Sequence, residues 1–214
     1  MGLQTRLDTL KQEFTANVPS DALAVMNQET EKLMASDIVA KAIKVGEFLP
    51  QGELTAVNGK QVNMDQLIDG KPLVISFYRG GWCPYCNLEL KELQATAADI
   101  KALGANIIAM TPESISHVKQ TKQNNGVTFD VFSDEGSAFA KELGLVFTLP
   151  KSLQEIYLKF DIDVEKHNGE SKFELPIPTT LIVKPNREVV YMFADGDYTK
   201  RSEPAAILEV LKNL

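Results

Sequence analysis

The chain has 214 residues, 44% of them hydrophobic, enough to bury the core of one domain with an extension. Its 22 Lys and Arg against 29 Asp and Glu leave a net charge of -7, and no basic stripe with interleaved aromatics marks a nucleic-acid surface. No apolar run approaches the roughly eighteen residues that cross a bilayer, so neither nucleic acid nor membrane is an expected partner.

The start, Met1 to Asp8, lacks the basic segment and apolar stretch of a secretory leader, which makes a reducing cytoplasm the expected location. Leu3, Leu7, Leu10 and Phe14 then recur at helical steps, and Leu23, Val25, Met26, Thr30 and Leu33 follow in a second helical series. Pro19 separates the two as a helix start or break, and residues 38–43 suggest a third helix. Residues 1–44 are read as a helical N-terminal extension that packs on a domain of residues 45–214 or mediates self-association as a homodimer.

Residues 72–78 form a short run of branched and aromatic residues, suited to a strand covered on both faces. Gly80 and Gly81 break it, and residues 87–95 read as a helix with Leu90 and Leu93 inward and Glu89, Lys91 and Glu92 solvated. The only two cysteines, Cys83 and Cys86, stand three apart at that junction. At a helix N-terminus the free amides and the helix dipole favour a thiolate, lowering a cysteine pKa from about 8.5 to roughly 3.5–7.5. Residues at i and i+3 share a helical face at about disulfide distance, and Pro84 suits the first turn because its missing N–H has no intrahelical partner to lose.

Thiol redox chemistry leads the alternatives, provided that both sulfurs are reachable by oxidants or disulfides. A structural disulfide closing so short a loop gains little unfolded-state entropy. Zinc needs four ligands, and the other soft donors, His117 and His167, stand fifty residues apart in polar surroundings. Inert buried thiols do not call for Gly80-Gly81-Trp82 before them or Pro84-Tyr85 between them. No cofactor or metal is expected.

Further along, residues 105–110 and 127–132 read as strands and residues 113–124 as a helix carrying a surface His117. Residues 137–143 form a helix ended by Gly144, and residues 149–160 another. Asp161, Asp163 and Glu165 alternate with Ile162 and Val164, which suits a strand with a wet face or a loop, and residues 167–170 a turn. Residues 180–183 and 188–193 form a hairpin, and residues 204–214 a closing helix. The predicted fold is α/β, a mixed sheet flanked by helices.

Trp82-Cys83-Pro84-Tyr85-Cys86 after a buried strand resembles the thioredoxin superfamily, with the tetrapeptide typical of glutaredoxins. Val45-Gly46-Glu47-Phe48-Leu49-Pro50, Asn58-Gly59-Lys60, Gly70-Lys71-Pro72, Met110-Thr111-Pro112-Glu113 and Phe132-Ser133-Asp134 extend the resemblance to peroxiredoxins of the alkyl hydroperoxide reductase and thiol-specific antioxidant type. That resemblance implies a thioredoxin-like fold and a thiol-dependent peroxidase reducing hydrogen peroxide or organic hydroperoxides, reset by a thioredoxin- or glutathione-type reductant. The family's Pro, Thr or Ser, and attacking Cys fall here on Arg79, Cys83 and Cys86, so two of its three motif positions differ.

No arginine precedes the late strand where the family has one, and Arg79 is the candidate replacement. Ile177-Pro178-Thr179 resembles the thioredoxin turn in which a cis proline faces the cysteines. Cys83 and Cys86 are the candidate catalytic pair, with Arg79, Trp82, Pro84, Tyr85 and Pro178 as supporting or groove residues. The competing readings are direct thiol–disulfide exchange on protein or glutathione disulfides, and a redox-sensing interaction protein.

Overall fold

The computed structural model describes residues 2–169 and 172–214. Helices α1 (Leu3–Asn17), α2 (Ser20–Ala35) and α3 (Ile38–Lys41) come first, followed by the hairpin of β1 (Glu53–Ala56) and β2 (Gln61–Asn63) and the short α4 (Met64–Ile68). Strand β3 (Leu73–Phe77) leads into α5 (Pro84–Ala102), then β4 (Asn106–Thr111), α6 (Ile115–Asn125) and β5 (Asp130–Ser133). The remainder is α7 (Ala138–Glu142), β6 (Val146–Thr148), α8 (Lys151–Lys159), α9 (Val164–Asn168), β7 (Glu174–Pro176), β8 (Thr179–Val183), β9 (Val189–Ala194) and α10 (Pro204–Lys212).

Seven strands form one mixed sheet in the order β2-β1-β5-β4-β3-β8-β9, with β3, β4 and β5 parallel and β8 antiparallel to β3. Every residue of β3 is buried, as its unbroken apolar run requires of a strand covered twice. Leu73, Ile75 and Phe77 face one core with α3, α4 and α7, while Val74 faces the other with Leu93 of α5 and Ile207 and Leu211 of α10. This is the thioredoxin-like α/β arrangement expected, with three helices ahead of it.

Of the strand or loop expected over residues 161–165, the loop holds at residues 161–163, but the Asp163 carboxylate then accepts the Lys166 amide at 3.0 Å and caps α9, turning Val164 into the core. That helix runs on to Asn168, where a turn was expected, and Gly169 closes it in the left-handed conformation. The last residue of that expected turn, Glu170, lies outside the described residues. The three-residue strands β6 and β7, which pair with each other, are too short for a periodic signal.

Candidate active site

The cysteines lie where β3 gives out. Tyr78 N–H still donates to the Met110 carbonyl at 2.9 Å, and the next residues turn away from the sheet. A Cβ on Gly81 would overlap Thr121 Oγ1, so the turn passes α6 at a distance only glycine permits. Cys83 is the N-cap of α5, Pro84 takes the first helical position and Cys86 the third. The Asn87 amide N–H bonds the Cys83 carbonyl at 3.0 Å, and its side chain donates to the Gly81 carbonyl at 2.8 Å, tying helix start to glycine turn.

Each sulfur has its own guanidinium. Arg79 Nη2 donates to Cys83 Sγ at 3.5 Å and Nη1 to the Tyr157 hydroxyl at 3.1 Å. Its planar group lies 4.3 Å from the Tyr198 ring and 4.9 Å from that of Trp82, close enough for cation–π attraction to both. Arg201 Nη2 donates to Cys86 Sγ at 3.2 Å, Nε pairs with Glu89, and Nη1 bonds the carbonyls of Tyr198 and Lys200. Both arginines are buried.

Glu89, expected on the solvated face, is buried instead. Lying one turn beyond Cys86 on the same face of α5, it holds Arg201 against that sulfur. Sequence reasoning missed Arg201 altogether, since it belongs to no motif and stands 115 residues from Cys86. The one available signal was a carboxylate three residues after a reactive thiol.

The two thiols divide one proton unequally. Burial opposes ionisation of Cys83, but a hydrogen bond from Cys86 and the charges of Arg79 and Arg201 outweigh it and hold the thiol well below the usual cysteine range. Burial, the same hydrogen bond and the charge on Cys83 push Cys86 well above that range, despite Arg201 and Arg79. In the reduced, unbridged pair the surroundings therefore favour the negative charge on Cys83 and the proton on Cys86.

The expectation of reachable sulfurs needs correction, because both are fully buried. Leu3 and Leu7 of α1 pack into the same cluster as Cys83, Cys86, Tyr78 and Tyr85, and the segment bearing Tyr198 and Arg201 closes another side. Desolvation raises the energy of a thiolate, so its survival depends on the two cations.

The supporting candidates Trp82, Tyr85 and Pro178 lie around the cysteine loop, and one expectation among them needs correction. Trp82 meets the Tyr157 ring edge-on at 5.5 Å, and Tyr85 meets Tyr198 at 5.6 Å. Burial pushes the Tyr85 hydroxyl up to about 12, which keeps it protonated. The β3–β8 register pairs Phe77 with Thr179, setting Pro178 beside the start of the cysteine loop, where it shares a pocket wall with Arg79. No described peptide bond is cis, so the thioredoxin-type cis turn is absent. With Ile177 N–H bonded to the Leu145 carbonyl at 2.8 Å and its side chain in the core, the chain passes extended from β7 into β8, the conformation a residue before proline prefers.

His117, expected at the surface and half-buried here, meets His167 from fifty residues on. Their rings lie 4.3 Å apart, and His167 Nδ1 is 3.1 Å from Oε1 of the buried Glu113. They bring no ligand to the cysteines, and among the described residues no cluster of three or more His, Cys, Asp or Glu is placed to hold a metal.

The family model described as AhpC/TSA matches residues 45–192. Peroxiredoxin Q, chloroplastic, of Triticum aestivum is 25% identical over 166 residues, covering 72% of this chain and 76% of that protein. Prostamide/prostaglandin F synthase of Salmo salar is 23% identical over 182 residues, covering 78% and 90% respectively. The crystal structure of peroxidoxin BcpB from Mycobacterium tuberculosis superposes with a TM-score of 0.63 at 16% identity, over 80% of this chain and 98% of that one.

Proposed function

Because the chain belongs to the AhpC/TSA family, with residues 45–192 matched, we propose that it is a thiol-dependent peroxidase cycling between a Cys83/Cys86 dithiol and its disulfide. The observation that carries this reading is the pair of sulfurs at the start of α5, each within hydrogen-bond reach of a buried guanidinium, Cys83 of Arg79 and Cys86 of Arg201.

The thiolate attacks the terminal oxygen of a hydroperoxide, an S–O bond forms and the O–O bond breaks. The departing oxygen takes up a proton and leaves as alcohol or water, and Cys83 is left as a sulfenic acid. Arg79 donates to the charge that moves from sulfur to oxygen. Cys86 then attacks the Cys83 sulfur, the sulfenic hydroxyl leaves with the Cys86 proton as water, and the disulfide forms. An external dithiol of thioredoxin type, by analogy with peroxiredoxins, reduces it back.

A second order of events, with Cys86 attacking first, is favoured by its position at the family's nucleophile and by its contact with Arg201. Thiol–disulfide exchange on proteins has less support, since Pro178 is trans and both sulfurs are covered. The proposed location is the cytoplasm, where reductants keep such a pair in the reactive form.

Stopped-flow mixing with hydrogen peroxide and cumene hydroperoxide, followed by mass measurement of Cys83→Ser and Cys86→Ser, tests both points. Cys86→Ser should gain one oxygen on Cys83 while Cys83→Ser stays unchanged. The converse assigns the attack to Cys86, and no reaction with either peroxide overturns the peroxidase reading.

A further inference from the structure

A pocket of about 260 Å³ opens beside Arg79 and runs away from the cysteines between α2 and α8. Met26 and Leu33 of α2 form one wall, and Leu153 of α8 with Phe147 of β6 the facing one. Arg79, which also touches Cys83, lines it with Tyr157 and Tyr198, while Glu29 and Lys32 of α2 add charged groups elsewhere on the lining. Arg79 Nε, buried with the rest of the side chain, has no hydrogen-bond partner in the protein. The guanidinium places a cation at one end of a largely apolar cavity, next to the Cys83 sulfur, which suits a ligand with an oxygen-bearing head and a carbon tail.

The wall from α2 is placed deliberately. A Cβ on Gly196 would come within 2.8 Å of Met34 Cα, so the end of α2 rests on bare backbone. Ser152 Oγ donates to Glu29 at 3.2 Å and fastens α2 to α8. All of α2 precedes the segment matched by the AhpC/TSA family, so this wall is an addition to the shared domain.

We infer that α2 is the specificity element of the active site, closing an apolar pocket that seats the carbon tail of an organic hydroperoxide while Arg79 holds the peroxide oxygens beside Cys83. The inference rests on the peroxidase reading and adds what the site prefers. Hydrogen peroxide leaves such a pocket unused, whereas each methylene removed from water strengthens binding roughly fourfold. A cavity of roughly 150 Å³ already accepts benzene, so a phenyl or medium alkyl group fits this one.

Rate constants with cumene hydroperoxide and hydrogen peroxide, taken as a ratio, read the pocket directly. The wild type should favour cumene hydroperoxide, and Leu33→Trp, which fills the space from the α2 side, should lower the ratio at least tenfold. Binding of unreactive cumyl alcohol, followed through Trp82 fluorescence, gives a second readout that needs no chemistry and no folded variant. It should saturate in the reduced wild type and compete with cumene hydroperoxide. An unmoved ratio in a folded Leu33→Trp protein, or absence of cumyl alcohol binding, overturns the assignment. A wild type inert to both peroxides instead removes the peroxidase reading beneath it.

Discussion

Arg201 and Glu89 form a fully buried ion pair whose second purpose is to aim a guanidinium at Cys86. Nε of Arg201 engages the carboxylate while Nη2, on the same rigid fork, reaches the sulfur at 3.2 Å. The arginine that the family resemblance led one to seek before the late strand is missing there. After β9, where no motif marks it, another cation stands against the second sulfur.

Removing one member of that pair should be far worse than removing both. Arg201→Met leaves a buried carboxylate without its cation, a loss of about 3–5 kcal/mol, whereas Arg201→Met combined with Glu89→Leu should recover most of it. Urea unfolding of the single and double variants measures this, and additive losses would show that the two residues are not coupled. Arg201→Lys should fail to substitute, because one ammonium cannot replace the forked contacts to Glu89, Cys86 and two carbonyls.

The thiols should titrate on opposite sides of the ordinary cysteine value. Iodoacetamide labelling of Cys83 should stay level as pH drops below about 8.5 and decline only near its own depressed pKa. Arg79→Met removes one of the cations holding that pKa down, so the decline should move to higher pH, with slower peroxide reaction at neutral pH. A profile unchanged by Arg79→Met would leave Arg79 without a part in activation.

Stability follows with defined signs. Cys83, depressed in the fold, contributes stability that is complete above its unfolded pKa of about 8.5 and is lost as pH falls through its folded value. Cys86, raised in the fold, contributes stability complete below about 8.5 and lost as pH rises through its folded value. Subtracting the stability–pH curve of Cys83→Ser from that of the wild type should therefore reveal a rise with pH, and the same subtraction for Cys86→Ser a fall at alkaline pH.

Trp82 is the only tryptophan, and it lies against Arg79. Conversion of the Cys83 thiolate to sulfenic acid removes the anion facing that arginine, so Trp82 emission should change at the rate of peroxide reaction. Cys83→Ser should abolish the change. A signal persisting in Cys83→Ser would assign first attack to the other sulfur.

Asp197 holds the segment that carries Tyr198 and Arg201. Its carboxylate accepts the Thr199 amide at 2.9 Å and hydroxyl at 2.7 Å, and pairs with Lys11 of α1 at 3.2 Å. Asp197→Ala should cost about 1–3 kcal/mol by leaving the buried Thr199 amide unsatisfied, and should expose Cys86 to labelling. Melting curves and thiol labelling report the two effects separately.

The dithiol at a helix start was legible because every signal for it is local. An unbroken apolar run, paired glycines, a proline and two cysteines occupy residues 72–86 and together mark a strand that ends and a helix that starts at the thiols. The hairpin of β8 and β9 and the helical pattern of α1 and α2 were readable for the same reason. Glu89 defeated a face assignment based on charge, since its partner lies 112 residues away and nothing near it in sequence announces a buried cation. Pro178 resembled a cis turn by sequence, whereas its peptide bond is trans and the preceding Ile177 is tied to Leu145, 32 residues away, a contact that no local pattern announces. The meeting of His117 with His167 accompanies a backbone hydrogen bond from Ser114 N–H to the His167 carbonyl at 2.9 Å, which no periodicity encodes.

The covering of both sulfurs by α1 separates the cycle into halves of unequal reach. A small oxidant needs only a brief gap between side chains, whereas a reducing protein must bring its own thiol onto the disulfide, which requires the α1 side or the 198–201 segment to lift away. Oxidised molecules would then outlast the burst of peroxide that made them, and trimming α1 by substituting Leu3 and Leu7 with alanine should shorten that lifetime in a reductant-chase measurement. An unchanged lifetime would mean that the pace of resetting is governed elsewhere.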